Sequence, residues 1–189
     1  IYFFLTLIFM SVFSCTSEKS LSVNVIETSK NGNKLSQVTS FTEAREVSSI
    51  RIKPEKTYQK ITGFGGSFTE ASAHLLNKLS SKNRNTILNA YFSKEGANYS
   101  LTRTHMNSCD FSLSNYSYAP IENDIELEHF SIQEDKDDLI PMIKDAMKIS
   151  EDGFNIIASP WTAAPWMKDN NKWVGGKLLP RYYDTWALC

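Results

Sequence analysis

The sequence has no excess of charge of either sign and no run of basic residues. Its 20 Lys and Arg nearly balance 21 Asp and Glu, which leaves a formal net charge of -1 over 189 residues. Proteins that bind nucleic acids present clustered cations, because the phosphate backbone supplies much of the affinity. The composition therefore gives no electrostatic reason to expect a nucleic-acid partner.

Cysteine is scarce. Cys15, Cys109 and Cys189 are the three cysteines, and their spacing matches no zinc-binding or redox motif. An odd number also argues against a disulfide framework. We expect neither a metal nor a cofactor. Cys109 is predicted to be a buried free thiol and not a nucleophile, because no general base is identified near it.

No apolar run reaches the length of about 20 residues that a membrane-spanning helix needs. Residues 1–14, IYFFLTLIFMSVFS, are almost wholly apolar and are followed by Cys15. A short apolar stretch that ends at a cysteine is typical of a bacterial lipoprotein signal, whose cysteine becomes acylated. We predict such a signal over residues 1–15, lacking its initiator Met and charged start. A plain signal peptide and a buried helix are the alternatives.

A lipoprotein signal also predicts where the protein acts. It implies secretion across the inner membrane of a bacterium and a lipid anchor at Cys15 that attaches the protein to a membrane. We expect an outer-membrane lipoprotein that faces the periplasm or the cell surface.

The segment 16–57 is polar and rich in Ser and Thr, which is typical of a tether. Asn31 and Gly32 predict a turn within it. Apolar and polar residues alternate at two places, which predicts short half-buried strands. The alternating apolar positions are Leu21, Val23 and Val25, then Ile50 and Ile52.

From Tyr58 onward, strand patterns alternate with helix patterns. The segment 58–68 is predicted to be a strand that runs into a Gly-rich turn, and 99–106 and 154–158 are the other predicted strands. The predicted helices are Glu70–Leu79, Lys82–Phe92, a third that begins after Ser131 and has its apolar face over 139–147, and a last one within RYYDTWALC. Ser131 and Glu134 match a capping box ahead of the third helix, so the acidic residues of 134–138 are expected to be solvated in its first turns. This alternation predicts βα units around a parallel sheet.

The first predicted strand runs into a cluster of glycines, Gly63, Gly65 and Gly66. A nucleotide-binding loop is excluded, because Phe68 stands where that motif needs its third Gly and no Gly-Lys-Ser or Gly-Lys-Thr follows. We expect the glycines to allow a tight turn where the backbone closely approaches another strand.

Polar and aromatic residues collect after each predicted strand, where the active site of a β/α barrel lies. They are Ser67, Thr69 and Glu70 after the first strand, Arg103, His105, Asn107, Asp110 and Phe111 around the end of the second, and Trp161 and Trp166 after the third. This mixture suits a polyhydroxylated ligand.

Three of these segments carry a resemblance to a known family. ITGFGGSFTEASA (61–73), SLTRTHMNSCDFSLSNYSY (100–118) and ASPWTAAPWMK (158–168) resemble the opening of glycoside hydrolase family 30. The resemblance implies an α/β fold, a (β/α)8 TIM barrel with an attached β-sandwich. We therefore expect residues 16–57 to form a tether and sandwich strands. Residues 58–189 are expected to hold about three βα units of an incomplete barrel.

The resemblance implies substrate-binding roles for four residues. Asp110 matches the family's aspartate that hydrogen-bonds sugar hydroxyls, with a loop-capping role as the alternative. Trp161 matches a tryptophan that lines the same subsite, with core packing as the alternative. Arg103 matches a strand-end arginine that supports the nucleophile electrostatically, with a structural ion pair as the alternative. Phe111, like Trp166, is either a wall residue or a packing residue.

The resemblance also implies that the catalytic residues are missing from this chain. Retaining glycosidases use two carboxyl groups, and in the family these glutamates follow strands four and seven, whereas this chain stops after the third βα loop. Glu70 is instead expected to start a helix, and His105 to be a satisfied core histidine. Cys189 departs from the family, where an aromatic residue usually continues the last helix.

Three functions remain open for the full-length protein. The first is retaining hydrolysis of β-glucosides of the glucosylceramide type, and the second is endo-hydrolysis of β-1,6-glucan within the same family. The third is a surface lipoprotein that binds glycans without cutting them. Two strand-end glutamates downstream would separate the enzymes from the binding protein. The chain alone is expected to be inactive.

Overall fold

A computed structural model describes residues 22–41 and 48–189 of the chain. Cys15, the predicted signal over 1–15 and the predicted strand position Leu21 lie outside the described residues. The chain divides between Thr57 and Tyr58 into two compact units. Within the described ranges, no helix has both the length and the apolar character needed to cross a bilayer.

The first unit contains a β-hairpin. Strand β1 (Val25–Glu27) pairs antiparallel with strand β2 (Ser36–Val38). Gly32 lies in the connecting turn with a φ of 116°, a value that favours glycine, so the predicted turn is confirmed. A two-stranded hairpin on its own does not make a β-sandwich.

The predicted strand around Ile50 and Ile52 is wrong. Neither residue lies in a strand, and their side chains are 89% and 80% exposed. Alternation predicts a strand only where a neighbouring strand completes the ladder and one face is covered. Among the described residues, this segment has neither.

The second unit is built on a three-stranded parallel sheet. Strand β3 (Ser67–Phe68) pairs with β4 (Leu101–Met106), and β4 pairs with β5 (Asn155–Pro160), in the order β3-β4-β5. The predicted parallel sheet is therefore confirmed. In the described part of the chain it is an open sheet and not a closed barrel. The carboxyl ends of β4 and β5 lie side by side, with Met106 opposite Pro160.

The first strand of the sheet lies later in the chain than predicted: β3 is Ser67–Phe68, after the glycines, whereas the sequence pattern predicts a strand that precedes them. The backbone before it still pairs with β4: the Phe64 carbonyl accepts from Leu101 N–H and the Gly66 carbonyl from Arg103 N–H. A side chain on Gly65 would collide with the Leu101 carbonyl oxygen. The expected close approach of this glycine segment to another strand is confirmed.

Four helices accompany the strands. Helices α1 (Glu70–Asn77) and α2 (Ser81–Phe92) connect β3 to β4, α3 (Leu139–Ile149) precedes β5, and α4 (Tyr183–Leu188) closes the chain. The Thr69 hydroxyl caps α1 by accepting from Ser72 N–H at 3.2 Å, and Ser80 caps α2 in the same way. All four confirm predicted helices, with Glu70 at the start of α1 as expected.

Two apolar clusters hold this unit together. In the first, Phe68 of β3 stacks on Phe92 of α2 with ring centroids 5.5 Å apart, and Leu139 and Met142 of α3 complete the cluster. The second combines Ala119 of the loop after β4 with residues that follow β5, namely Ala163, Ala164, Met167 and Tyr182, and Cys189 packs against it.

The start of α3 differs from the sequence prediction. The Ser131 hydroxyl accepts from Gln133 N–H and not from Glu134, and α3 begins only at Leu139 after a separate 3-10 turn. The expected solvation of the acidic run is confirmed for Glu134 and Asp137, which are exposed, but it is wrong for two other members. Asp138 is 7% exposed and Asp135 only 5%. The Asp135 carboxylate accepts hydrogen bonds from two buried phenols, which compensate the loss of water. The donors are Tyr116 and Tyr118.

These two phenols predict a loss of stability at alkaline pH. Burial, reinforced by the Asp135 carboxylate, raises the pKa of both Tyr116 and Tyr118. Above pH about 10 a tyrosine ionises in the unfolded chain while these two stay neutral in the fold. The free energy of unfolding should then fall by about 1.4 kcal/mol per pH unit for each of them. Denaturant unfolding of wild type and Tyr118→Phe from pH 8 to 11 measures this slope.

The Tyr118→Phe variant should lose about 1 kcal/mol at pH 8, since Asp135 loses a donor, but its alkaline slope should be shallower by the contribution of one tyrosine. Tyr183→Phe is the matched control, because Tyr183 is 54% exposed in α4, and its slope should equal that of wild type. Identical slopes for Tyr118→Phe and wild type would contradict the prediction.

Candidate functional site

A cavity of about 340 Å³ opens at the carboxyl ends of β3 and β4. Its walls come from β3, from the end of β4, from the loop that follows β4 and from the residue after β5. All four residues predicted to bind substrate line this cavity: Arg103, Asp110, Phe111 and Trp161. The parallel sheet brings them together, because the carboxyl ends of its strands share one edge.

Arg103 and Trp161 form one wall of the cavity. The guanidinium carbon of Arg103 lies 4.7 Å from the centroid of the Trp161 ring, a cation-π contact. Arg103 Nε donates to the Ser159 hydroxyl at 2.9 Å. Among the described residues no carboxylate forms an ion pair with Arg103. The structure therefore does not support the alternative that Arg103 serves in a structural ion pair. The remaining guanidinium N–H groups are left for a group inside the cavity.

Asp110 lies on the loop after β4, and its carboxylate is exposed to the cavity. In the described part of the chain nothing donates a hydrogen bond to it, so a loop-capping role has no contact to support it. A free carboxylate can accept two hydroxyl protons with charge-assisted strength. The geometry is therefore suited to holding a polyhydroxylated ligand.

Helix α1 holds the loop that carries Asp110. The Glu70 carboxylate accepts from Leu113 N–H at 3.0 Å, and Ala71 N–H donates to the Phe111 carbonyl at 3.0 Å. Glu70 is only 7% exposed, so its charge is compensated by this contact and not by bulk water. The sequence predicts Glu70 only as a helix start, and its role in fixing the site loop depends on a contact across 43 residues.

Two aromatic side chains that line the cavity are exposed. Phe111 is 60% exposed and Trp161 is 43% exposed. Core packing, the alternative weighed for Trp161, would bury its ring more completely. Exposed rings beside a free carboxylate and a guanidinium provide both apolar faces and hydrogen-bonding groups, a combination that fits a sugar ring.

His105 faces the same cavity but is satisfied at only one nitrogen. Its Nδ1 lies 2.8 Å from the Asn107 carbonyl oxygen, and because a carbonyl only accepts, Nδ1 carries the proton. Nε2 is buried without a partner among the described residues. The prediction of a fully satisfied core histidine is therefore only half correct. Cys109 is a free thiol, as predicted, but it is half-buried and not fully buried.

The sequence missed two residues on the loop that follows β5, Lys168 and Trp173. Lys168 is 8% exposed, and burial lowers its pKa. Its ammonium donates to the Trp173 carbonyl at 2.8 Å and to the Thr162 hydroxyl at 3.1 Å. A lysine in a polar segment gives no sequence signal of burial. The aromatic Trp173 within a Gly- and Asn-rich loop was the signal available.

Trp166 lies away from this cavity. Its indole N–H donates to the Ala119 carbonyl at 3.0 Å, and its ring packs edge-on against Tyr182 with centroids 4.9 Å apart. It therefore packs against the second apolar cluster, one of the two roles that the sequence left open.

The described residues give a binding surface and not a complete catalytic pair. Retaining hydrolysis of a glycosidic bond needs two carboxyl groups about 5 Å apart. Asp110 is the only carboxylate among the described residues that line the cavity. The described ranges also contain no group of three or more His, Cys, Asp or Glu placed to hold a metal ion.

The second unit is similar to known proteins in sequence and in structure. Residues 61–187 match the model of the glycosyl hydrolase family 30 TIM-barrel domain. The lysosomal acid glucosylceramidase of Mus musculus is 40% identical over 144 residues, which are 73% of this chain and 28% of that protein.

Two solved structures share the fold. SrfJ from Salmonella typhimurium superposes with a TM-score of 0.66 at 40% identity, covering 71% of this chain and 30% of that chain. The endo-beta1,6-glucanase BT3312 superposes with a TM-score of 0.64 at 33% identity, covering 72% and 31%. The chain thus spans less than a third of the length of each of these relatives.

Proposed function

The chain belongs to glycosyl hydrolase family 30, and from this premise we propose that it is the N-terminal part of a longer retaining β-glycosidase. One observation carries the proposal: Arg103, Asp110, Phe111 and Trp161 meet in one cavity at the carboxyl ends of parallel strands. The cavity holds sugar hydroxyls at Asp110 and a sugar face at the aromatic rings. The two catalytic carboxylates come from sequence outside this chain.

The group bound in the cavity is a β-glucosyl unit. The mouse relative is named a glucosylceramidase and a structural relative an endo-beta1,6-glucanase, and both names refer to glucose-containing substrates. Glucosylceramide-type exo-hydrolysis and endo-hydrolysis of β-1,6-glucan are therefore the two specific activities that we propose to compare. A glycan-binding protein without turnover is the rival outside the enzyme class.

Hydrolysis of an aryl β-glucoside by the chain alone and by the complete protein tests the proposal. The complete protein should turn the substrate over, and NMR of the first product should show the β-anomer, because double displacement retains configuration. The chain alone should show no turnover, since a general acid and a nucleophile each contribute orders of magnitude.

Two results would contradict the proposal that this chain binds the sugar while catalytic carboxylates outside it cleave the bond. Turnover by the chain alone would mean that it carries its own catalytic pair, and an α-anomeric first product would exclude a retaining mechanism. A complete protein that binds β-glucosides without cleaving them would instead support the glycan-binding rival.

A further inference from the structure

The loop after β4 begins and ends at one hydrogen-bonded junction. We call residues 107–118 the site loop, because they carry Asp110. Asn107, the first of them, is only 2% exposed. Its side-chain Oδ1 accepts from Tyr118 N–H at 2.8 Å and from the Ser117 hydroxyl at 3.3 Å. The Asn107 side chain therefore ties the start of the site loop to its end.

The backbone of Asn107 turns sharply where the chain leaves β4. Its φ of 61° lies in the left-handed region, which asparagine adopts more readily than most residues that carry a side chain. The Asn107 carbonyl accepts from His105 Nδ1 at 2.8 Å. The turn is thus held from both sides, because His105 of β4 binds the carbonyl and the end of the site loop binds the side-chain amide.

We propose that Asn107 is a positioning residue for Asp110: it fixes the turn and the closed end of the site loop, and so places the Asp110 carboxylate in the cavity. Asn107 does not line the cavity, so it acts through Asp110 and not on the sugar. The inference rests on the proposed function and adds to it a residue that touches no substrate.

Asp110 depends on its backbone for its position. Among the described residues no group donates a hydrogen bond to its carboxylate. The contacts that tie the site loop to α1 lie after Asp110, at Phe111 and Leu113. On the amino-terminal side of Asp110, the Asn107 junction holds the loop. Because a shift of about 1 Å in a group that orients substrate can cost about 10²-fold in rate, a looser junction should slow the reaction.

A double-mutant cycle in the complete protein tests this role, with hydrolysis of an aryl β-glucoside as the measurement. Asn107→Gly is the informative substitution, because glycine adopts the left-handed conformation freely and only the side-chain acceptor is lost. In the wild-type background it should lower kcat/KM about 10-fold. In the Asp110→Asn background it should lower kcat/KM by less than about twofold, since the group that Asn107 positions has already lost its charge.

A loss of stability alone predicts a different pattern. A partly unfolded variant loses the same fraction of its activity in both backgrounds, because the two sites then act independently. Equal losses of kcat/KM in the two backgrounds would therefore overturn the proposal. An Asn107→Gly protein as active as wild type would overturn it too.

Asn98→Gly is the matched control for the change of residue type. Asn98 lies just before β4 with a φ of 47°, is exposed and does not line the cavity. Its kcat/KM should stay within about twofold of wild type.

If Asn107→Gly does not fold, Ser117→Ala takes its place in the cycle. This change removes the longer of the two hydrogen bonds to Asn107 Oδ1 and leaves Asn107 itself intact. It should lower kcat/KM about threefold in the wild-type background and not measurably in the Asp110→Asn background. Equal losses in both would again contradict the positioning role.

Calorimetric titration with methyl β-glucoside separates this proposal from the proposed function. If the complete protein binds the glucoside without cleaving it, a Kd that Asn107→Gly raises about 10-fold only when Asp110 is present supports the positioning role and rejects the enzyme. If the complete protein hydrolyses the aryl glucoside but the losses are equal in both backgrounds, the positioning role is wrong and the enzyme stands.

Discussion

Replacing Asp110 with Asn in the complete protein should lower kcat/KM for an aryl β-glucoside by on the order of 10²-fold, with little change in Tm. The carboxylate lies at the cavity, and within the described ranges it makes no contact that the fold depends on. An amide of the same size keeps the shape of the loop but loses the charge and one acceptor. Hydroxyl protons of the bound sugar then lose a charged acceptor.

The effect is large because hydrogen bonds to Asp110 are expected to be strongest in the transition state. A sugar ring flattens towards an oxocarbenium-like transition state, and interactions that strengthen during this change raise kcat and not only affinity. Hydrogen bonds to a charged acceptor contribute about 1.5–3 kcal/mol each, so the loss of one of them accounts for an effect on the order of 10²-fold. The loss should therefore appear in both kcat and kcat/KM.

Asp137→Asn is the matched control, because Asp137 is an exposed aspartate before α3 that does not line the cavity at Asp110. It removes one negative charge from the same unit and should leave kcat/KM within about twofold of wild type. If Asp110→Asn kept full activity and melted several degrees early, Asp110 would be an anchor of its loop. The site proposed at this cavity would then be wrong.

The second large effect is on stability: Gly65→Ala should destabilise the protein by about 3 kcal/mol. The new methyl group would collide with the carbonyl oxygen of Leu101. That oxygen belongs to the backbone of β4 and cannot rotate out of the way, so the strand itself must move. Because β4 also carries Arg103, activity should fall along with the free energy of unfolding. Urea unfolding of the purified variants measures the first effect, and hydrolysis of the aryl glucoside the second.

Gly66→Ala provides the control one residue away. A methyl group there would meet the Tyr99 ring at 3.4 Å, an ordinary van der Waals contact. We expect this variant to lie within about 1 kcal/mol of wild type. Equal stability of the Gly65 and Gly66 variants would show that the strands separate without cost, against the close approach described above.

The parts of the fold that the sequence predicts well are those determined by local patterns. Helices α1 and α2 follow from apolar residues that recur on one helix face. The site cavity follows from parallel topology, because strand-end residues must share one edge. Arg103, Asp110 and Trp161 could therefore be placed together before any coordinates were known.

The parts that the sequence does not predict depend on partners far along the chain. The acidic run before α3 has the composition of a solvated helix start, yet Asp135 is buried by phenols 17 and 19 residues earlier. The burial of Lys168 is equally hard to predict from the sequence, because it depends on hydrogen-bond acceptors in a loop that has no periodic pattern. Burial of a charge needs exact long-range geometry, which composition does not record.

The edge of the sheet at β5 has a consequence for synthesis in the cell. Strand β5 is the last in the order of the described sheet, and Ile156 and Ile157 on it are 38% and 53% exposed. Unpaired strand groups beside apolar side chains are a template on which other extended segments add. A ribosome adds about 5–20 residues each second, so a nascent chain presents this edge to its surroundings until some other segment covers it. We expect chaperones to bind this exposed edge, and slower elongation after β5 should increase the fraction of nascent chains that they bind.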